Sequence, residues 1–239
     1  MIKKKKKLKK IVIYAHTVWK YAIVNGSKAV DFFEYVHMPV DATKTTRDAL
    51  SENTQFQVLN VEHKMKTFAL ISMLAGLRRS EALALQWKDI DFEHNFISIT
   101  KHLDLDQEKI LPGGKTINAI RNVPLCYYLK DYLLSIKGED EDYVILSSTG
   151  KIYTKSAYNK AWKSYIKCFN ETFTSHCLRH TYATILFLQN VPEIEAMQYL
   201  GHASIQTTVN IYTDLKNFNK YSLSKEYQEL LNNDFRIIK

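Results

Sequence analysis

Glycine and proline are scarce here, with 7 Gly and 4 Pro in 239 residues. With so few chain breakers and 46% hydrophobic residues, the chain is not a low-complexity or disordered segment, and it can bury a sizeable core. Cysteine is scarcer still. Cys126, Cys168 and Cys177 show no C-x-x-C spacing, which argues against a disulfide framework or zinc ribbon and suggests a reducing compartment. No apolar run reaches the ~18 residues of a membrane span. The opening "MIKKKKKLKKIVIYAHTVWKYAIV" has the basic head and apolar body of a secretory leader. His16 and Lys20 break the apolar part, and no small-residue cleavage site closes it. A cytoplasmic protein without a membrane partner is expected.

Positive charge is also thinner than it looks. The formal charge is +8, but seven lysines fall in residues 1–10, and the other 229 residues carry 26 Lys and Arg against 25 Asp and Glu. The excess is therefore a basic tail, able to hold any polyanion or simply to stay solvated. Composition alone leaves function open. Arginine is rare: six of 33 basic residues, four of them (Arg78, Arg79, Arg121, Arg179) in the segments discussed below. A guanidinium is a rigid planar fork for phosphate or carboxylate, which lysine does not imitate. Sparse arginine in clustered places points to geometric use.

The pattern along the chain is mainly helical. "IVIYAHTVWKYAIVNG" reads as a short helix stopped near Asn25-Gly26, and "SKAVDFFEYVH" as a further short element before Pro39. Residues 39–52 are polar and Pro-opened, a linker signature. "KMKTFALISMLAGL" spaces its apolar residues for a buried helix ending at Gly76, and Ser80 is a plausible N-cap for the next. "HNFISITKHLDL" alternates with the period of a strand, "PGG" at 112–114 is a turn, and "NAIRNVPL" reads as a returning strand. Helices follow at 125–136, 154–169 and 176–190, with shorter pieces to a final "KEYQELLNN". No internal repeat is present. The outline is a mostly helical domain with one small antiparallel sheet, behind a short N-terminal piece.

The segment "SHCLRHTYAT" then poses a question, because an otherwise apolar helix carries His176, Arg179 and His180. At i and i+3, His176 and Arg179 project from one face. H-x-x-x-H resembles half of a zinc-protease helix, but Cys177 stands where that motif needs glutamate. An anion is the better partner, and three further segments support it. "GLRRSE" sets Arg78 after a Gly-terminated helix with Glu81 three residues on, suited to an anion site that a carboxylate orients. Lys115 sits at a hairpin tip, and "YLGHASIQTTVNIYTDL" places His202 after a glycine with Tyr212 ten residues later.

As an ordered set, these words resemble the tyrosine recombinases of the phage-integrase superfamily. Gly76-Leu77-Arg78 with Glu81, Lys115, His176 with Arg179, Leu200-Gly201-His202 and Tyr212 match in order over about 60–216. The resemblance implies an α+β, mostly α fold: an integrase-like catalytic domain with a small three-stranded antiparallel sheet, preceded by a short helical N-terminal remnant. The expected division is a lysine-rich tail at 1–10, a truncated helical core-binding remnant at 11–38, a linker at 39–54 and the catalytic domain at 55–239. The implied activity is site-specific DNA recombination through a 3′-phosphotyrosyl intermediate, in integration or excision of a mobile element, with no metal, ATP or other cofactor. By resemblance, Tyr212 is the nucleophile and Arg78 and Arg179 clamp the non-bridging oxygens. His202 adds a hydrogen bond, Lys115 protonates the leaving 5′-oxygen, His176 assists proton transfer at Tyr212, and Glu81 supports the site. Implied partners are double-stranded DNA, a homo-oligomer on DNA (a tetrameric synapse) and an accessory DNA-bending or directionality protein. A cytoplasmic, bacterial or phage-encoded protein follows.

Three features depart from the family pattern or leave alternatives. The stretch ahead of the linker is short for a four-helix core-binding domain, so the lysine run could replace part of a DNA clamp. Ala119 stands where the family's K-T-x-x-S-x-R word often has serine, and Lys101 and Lys109 compete with Lys115 on the same hairpin system. The final helix, with Tyr227, Leu230 and Leu231 on one face, could pack on a neighbour or on its own domain. His180 is assigned to structure and Arg79 to the surface. The rival readings are an inactive DNA-binding relic, a type IB topoisomerase and a metal-dependent nuclease, the last without a convincing carboxylate triad.

Overall fold

The computed structural model describes residues 5–27, 30–36, 49–113, 120–202, 204–217 and 223–238. Lys115, Ala119 and most of the expected linker lie outside them. The chain divides into two compact units, Met1–Arg47 and Asp48–Lys239. In the first, α1 (Lys5–Val24) starts inside the lysine run, earlier than its apolar periodicity suggested. His16 stacks on Phe33 with ring centroids 4.8 Å apart, and Trp19 meets Phe32 edge-on at 4.9 Å. The short element foreseen before Pro39 is the single turn Phe33–Tyr35.

The second unit is built around α3 (Lys66–Leu74), whose residues from Phe68 to Leu74 are all buried. Seven consecutive buried residues cover every side of a helix, so this one is central to the unit. Its chief partner is α7 (Ser175–Leu188), which contributes Leu178, Tyr182, Ile185 and Leu186. Ahead of α3, Ser51 caps α2 (Glu52–Asn60) by accepting from Thr54 N at 3.3 Å. The helix α6 (Lys155–Ile166) closes another side with an aromatic cluster, Trp162 lying 5.8 Å from Phe68 and 5.9 Å from Phe173.

The three-stranded antiparallel sheet is present, in the order β1 (Ile90–Asp91), β2 (Phe96–Ile99), β5 (Arg121–Pro124). Ile97 pairs with Ile90 and Val123, and Ile99 with Arg121. The period of two buries Ile97, Ile99 and Val123 on one face, and Arg121 shares that face with Val123. The alternation that ran through 94–105 as a single strand is broken at Thr100. Beyond it β3 (Lys101–Asp104) and β4 (Lys109–Pro112) form a separate two-stranded hairpin.

After α5 (Tyr127–Ser135) and α7 come α8 (Glu193–Leu200), α9 (Ile205–Asn217) and α10 (Lys225–Asn232). The last folds back on its own unit: Tyr227 donates its hydroxyl to Gln55 Oε1 at 2.6 Å, Phe235 is buried, and Ile237 bridges Cys126. Among the described residues no helix is long and apolar enough to cross a membrane.

Candidate active site

The loop after α3 sets the first arginine. Gly76 adopts φ +63°, the left-handed turn that ends a helix cheaply only in glycine. A Cβ there would lie 2.2 Å from Tyr182 Cδ1, so glycine is required twice over. Two residues on, Arg78 is the N-cap of the short helix α4 (Arg79–Ala82), a position the sequence suggested for Ser80. The cap is made by the carboxylate: Glu81 Oε2 accepts from Arg78 N at 2.8 Å, and Oε1 from Arg78 Nη1 at 2.7 Å.

The C-terminal end of α8 then collects three guanidinium groups on three successive carbonyls. Arg121 Nε donates to Tyr199 O at 2.7 Å, Arg179 Nη2 to Leu200 O, and Arg78 Nη2 to Gly201 O at 2.5 Å. A helix C-terminus carries unsatisfied carbonyls and partial negative charge, so cations are stable there. Gly201, at φ 58°, is the left-handed cap that turns the chain away after them. Arg179, 4% exposed, also donates Nη1 to Gly76 O at 2.6 Å. The strand β5 aims Arg121 inward, where it meets Glu81 Oε2 at 2.8 Å and Oε1 at 3.1 Å.

The electrostatics follow from this crowding. Burial opposes ionisation of Glu81, but the Arg121 hydrogen bond and charge, with Arg78 beyond, outweigh it and hold the carboxyl down at about 2. Burial, then the charges of Arg78 and Arg121, lower the Arg179 pKa, although a guanidinium stays protonated at neutral pH. His202 is pushed down to about 3 by burial and then by Arg179 and Arg78, so its ring is neutral. Three guanidinium charges against one carboxylate leave a positive site.

Arg78, His176, Arg179, His180 and His202 line one cleft of about 240 Å³, with Thr207 and Ile211 of α9 on its wall. His176 is exposed at the start of α7, its ring edge-on to His180 at 4.7 Å. Arg78 and Arg179 each commit two of five N–H donors to the bonds above, leaving others for an anion. Tyr212 is elsewhere. It is 3% exposed, its hydroxyl donates to Val191 O at 3.3 Å, and its ring meets Phe187 edge-on at 5.2 Å. Burial and then Glu193 raise its phenol well above the ordinary range. The structure thus brings together Arg78, His176, Arg179 and His202 with Glu81 behind them, and leaves Tyr212 on another side of α9.

Other expectations have definite outcomes. Arg79 is exposed, its guanidinium 5.1 Å from the Tyr158 ring. Lys101 is held by Gln86 Oε1 at 2.7 Å and by Asp89 Oδ2 at 2.7 Å, which commits its ammonium away from chemistry. Arg121 is one of the clustered arginines, and its place in the sequence assigns it no role. Its signal was the rarity of arginine, and only the structure shows that it holds Glu81.

A neutral imidazole and fork-shaped cations converging on an open cleft have the chemistry to receive a phosphate-like oxyanion. The chain belongs to the phage integrase family, whose profile matches residues 48–218. It is similar to a tyrosine recombinase XerC-like protein of Caldanaerobacter subterraneus subsp. tengcongensis, 32% identical over 178 residues, covering 63% of this chain and 46% of that protein. Transposase A from transposon Tn554 of Staphylococcus aureus is 31% identical over 189 residues, covering 72% of this chain and 52% of its own. The chain therefore spans about half the length of the curated relatives it matches. In fold it is similar to the Tn1549 transposon integrase, solved in complex with a circular intermediate DNA, with TM-score 0.70 and 21% identity over 88% of this chain and 76% of that one.

Proposed function

We propose that this protein is a site-specific DNA recombinase that cuts and rejoins strands through a 3′-phosphotyrosyl intermediate, in integration or excision of a mobile element. The observation that carries the reading is the convergence of Arg78, Arg179, His202 and His176 on one cleft, with both arginines pinned by carbonyls at the end of α8. The Tyr212 phenolate attacks a DNA phosphorus and the bond to the 5′-oxygen breaks. Lys115 protonates that oxygen, and His176 takes the phenolic proton. Rejoining is the reverse: a 5′-hydroxyl attacks the phosphotyrosyl bond and Tyr212 leaves with a proton. One phosphoester replaces another at each step, so the reading needs neither ATP nor metal. Arg78, Arg179 and His202 stabilise the crowded anionic phosphorane, each such donor commonly contributing ~3–4 kcal/mol.

Because Tyr212 is packed against Phe187 and Val191, α9 must shift or turn to deliver it to the cleft. We assign that shift to DNA binding in the cytoplasm, within a homo-oligomeric, tetrameric synapse joined by a DNA-bending or directionality protein. The lysine run adds phosphate contacts without sequence preference, each contributing up to ~0.9 to the slope of log affinity against log salt. The buried Tyr212 also favours a second reading, a DNA-binding module that does not cut.

The test is a covalent-trapping assay on DNA spanning the ends of the carrying element, nicked beside the cut so that the 5′-hydroxyl strand is lost. A denaturation-resistant protein–DNA complex in EDTA, absent in Tyr212→Phe, is the expected result. Intact DNA binding without that complex would establish the second reading.

A further inference from the structure

Thr208 is fully buried in α9, and its Oγ1 lies 2.9 Å from His202 Nδ1. A threonine inside a helix commonly donates its hydroxyl to the carbonyl four residues earlier. This chain does so twice in α7, from Thr181 to Cys177 O at 3.0 Å and from Thr184 to His180 O at 3.2 Å. Thr208 does not. Among the described residues, His202 Nδ1 is the one hydrogen-bond partner of its hydroxyl.

That geometry determines which ring nitrogen carries the proton. A neutral imidazole has one N–H and one lone pair. If Nδ1 carried the hydrogen, it would donate to Thr208 Oγ1 and strand the hydroxyl proton in the interior, and a buried unpaired donor is expensive. If Thr208 donates, its buried hydroxyl hydrogen finds its acceptor in Nδ1, and Nε2 keeps the N–H. Burial, Arg179 and Arg78 independently keep the ring neutral, so the question of tautomer is a real one.

We propose that Thr208 is a positioning residue whose hydroxyl donates to His202 Nδ1 and fixes the imidazole as its Nε2–H tautomer, giving the cleft a hydrogen-bond donor. The wrong tautomer would offer a lone pair to an anionic oxygen and repel it. Thr208 precedes Tyr212 by four residues, so the helix bearing the proposed nucleophile also sets the state of the donor across the cleft. The inference rests on the recombinase reading only where it names a DNA phosphate as the group that His202 meets.

The deciding experiment is a two-bond proton–nitrogen correlation spectrum of the ¹⁵N-histidine-labelled full chain, with the His202 signals assigned from His202→Asn. Wild type and Thr208→Ser are expected to show the Nε2–H pattern, and Thr208→Val, which keeps the shape but loses the hydroxyl, to shift toward Nδ1–H. An Nδ1–H pattern in wild type, or an unchanged pattern in Thr208→Val, would overturn the proposal. In the trapping assay, Thr208→Val is expected to slow covalent-complex formation by about 10- to 100-fold at unchanged DNA affinity, while Thr208→Ser stays within about twofold. Equal losses in both variants would reduce Thr208 to packing and sink the proposal. If wild type forms no covalent complex, the recombinase reading fails while the spectrum still decides the tautomer.

Discussion

Arg121 and Glu81 face each other as a two-pronged pair, Nη2 to Oε2 at 2.8 Å and Nη1 to Oε1 at 3.1 Å, with side chains 5% and 4% exposed. Glu81 uses its remaining capacity on the amide and guanidinium of Arg78. The pair therefore links β5 to Arg78, one of the two arginines that line the cleft. Breaking it by Arg121→Ala leaves a buried carboxylate short of its main partner and is expected to lower unfolding free energy by about 3–5 kcal/mol. Urea denaturation measures this. Arg121→Lys should recover only part of it, because an ammonium lacks the fork.

The same carboxylate predicts acid sensitivity. The folded pKa of about 2 lies below the ordinary value of 4.5, so Glu81 contributes stability that is present above about pH 4.5 and is lost as pH falls toward 2. The shift corresponds to about 3 kcal/mol. The stability–pH curve of Glu81→Gln should be flatter than that of wild type across this window. Parallel curves would refute the assignment.

Gly76→Ala should be severe for two separable reasons. The left-handed φ costs about 1–2 kcal/mol in any residue with a Cβ, and the new methyl collides with the Tyr182 ring. Thermal melts of Gly76→Ala, Tyr182→Leu and the double variant form a cycle. A favourable coupling in the double variant is expected, with the φ penalty remaining. Strict additivity would show that the ring is not the obstacle.

Tyr212 is held away from the cleft mainly by its packing, since a 3.3 Å hydroxyl contact is long for a hydrogen bond. Tyr212→Phe should therefore change stability by less than about 1 kcal/mol while abolishing covalent trapping. Phe187→Ala should expose the ring, and tetranitromethane should then nitrate Tyr212 several-fold faster, as read by mass spectrometry of the peptide. An unchanged nitration rate would show that Phe187 does not cover it.

Lys115 and Lys101 are expected to separate cleanly. If Lys115 is the general acid of the proposed recombinase, Lys115→Ala should slow strand cleavage by about 10²–10⁴-fold, the usual worth of a general acid. A 5′-bridging phosphorothiolate substrate, whose sulfur leaves without protonation, should restore the rate. Lys101→Met should lower the melting temperature and leave cleavage within a few-fold, because its ammonium serves Asp89 and Gln86.

Much of this protein was legible locally. The apolar spacing of α3, the alternation of β2 and the i, i+3 placement of His176 and Arg179 follow from backbone geometry a few residues at a time, and the ordered motifs led to the family. The break of the strand at Thr100 was not legible, because its alternation continues unbroken into β3 and only pairing partners distinguish sheet from hairpin. Ser80 looked like a cap because hydroxyl residues favour that role. Arg78 took it because Glu81 closes the turn from three residues on.

By itself, the sequence determined the order of the motifs and which residues are expected to carry the proposed chemistry, since helix and strand periods are short-range properties. Tertiary structure alone decided what holds them. Arg78 meets Gly201 across 123 positions, Arg179 meets Gly76 across 103 and Arg121 meets Tyr199 across 78. It also turned Tyr212 toward Phe187 and folded α10 onto its own unit. Each of these outcomes depends on which surfaces remain to be buried after the core has formed, a long-range competition that no local spacing records.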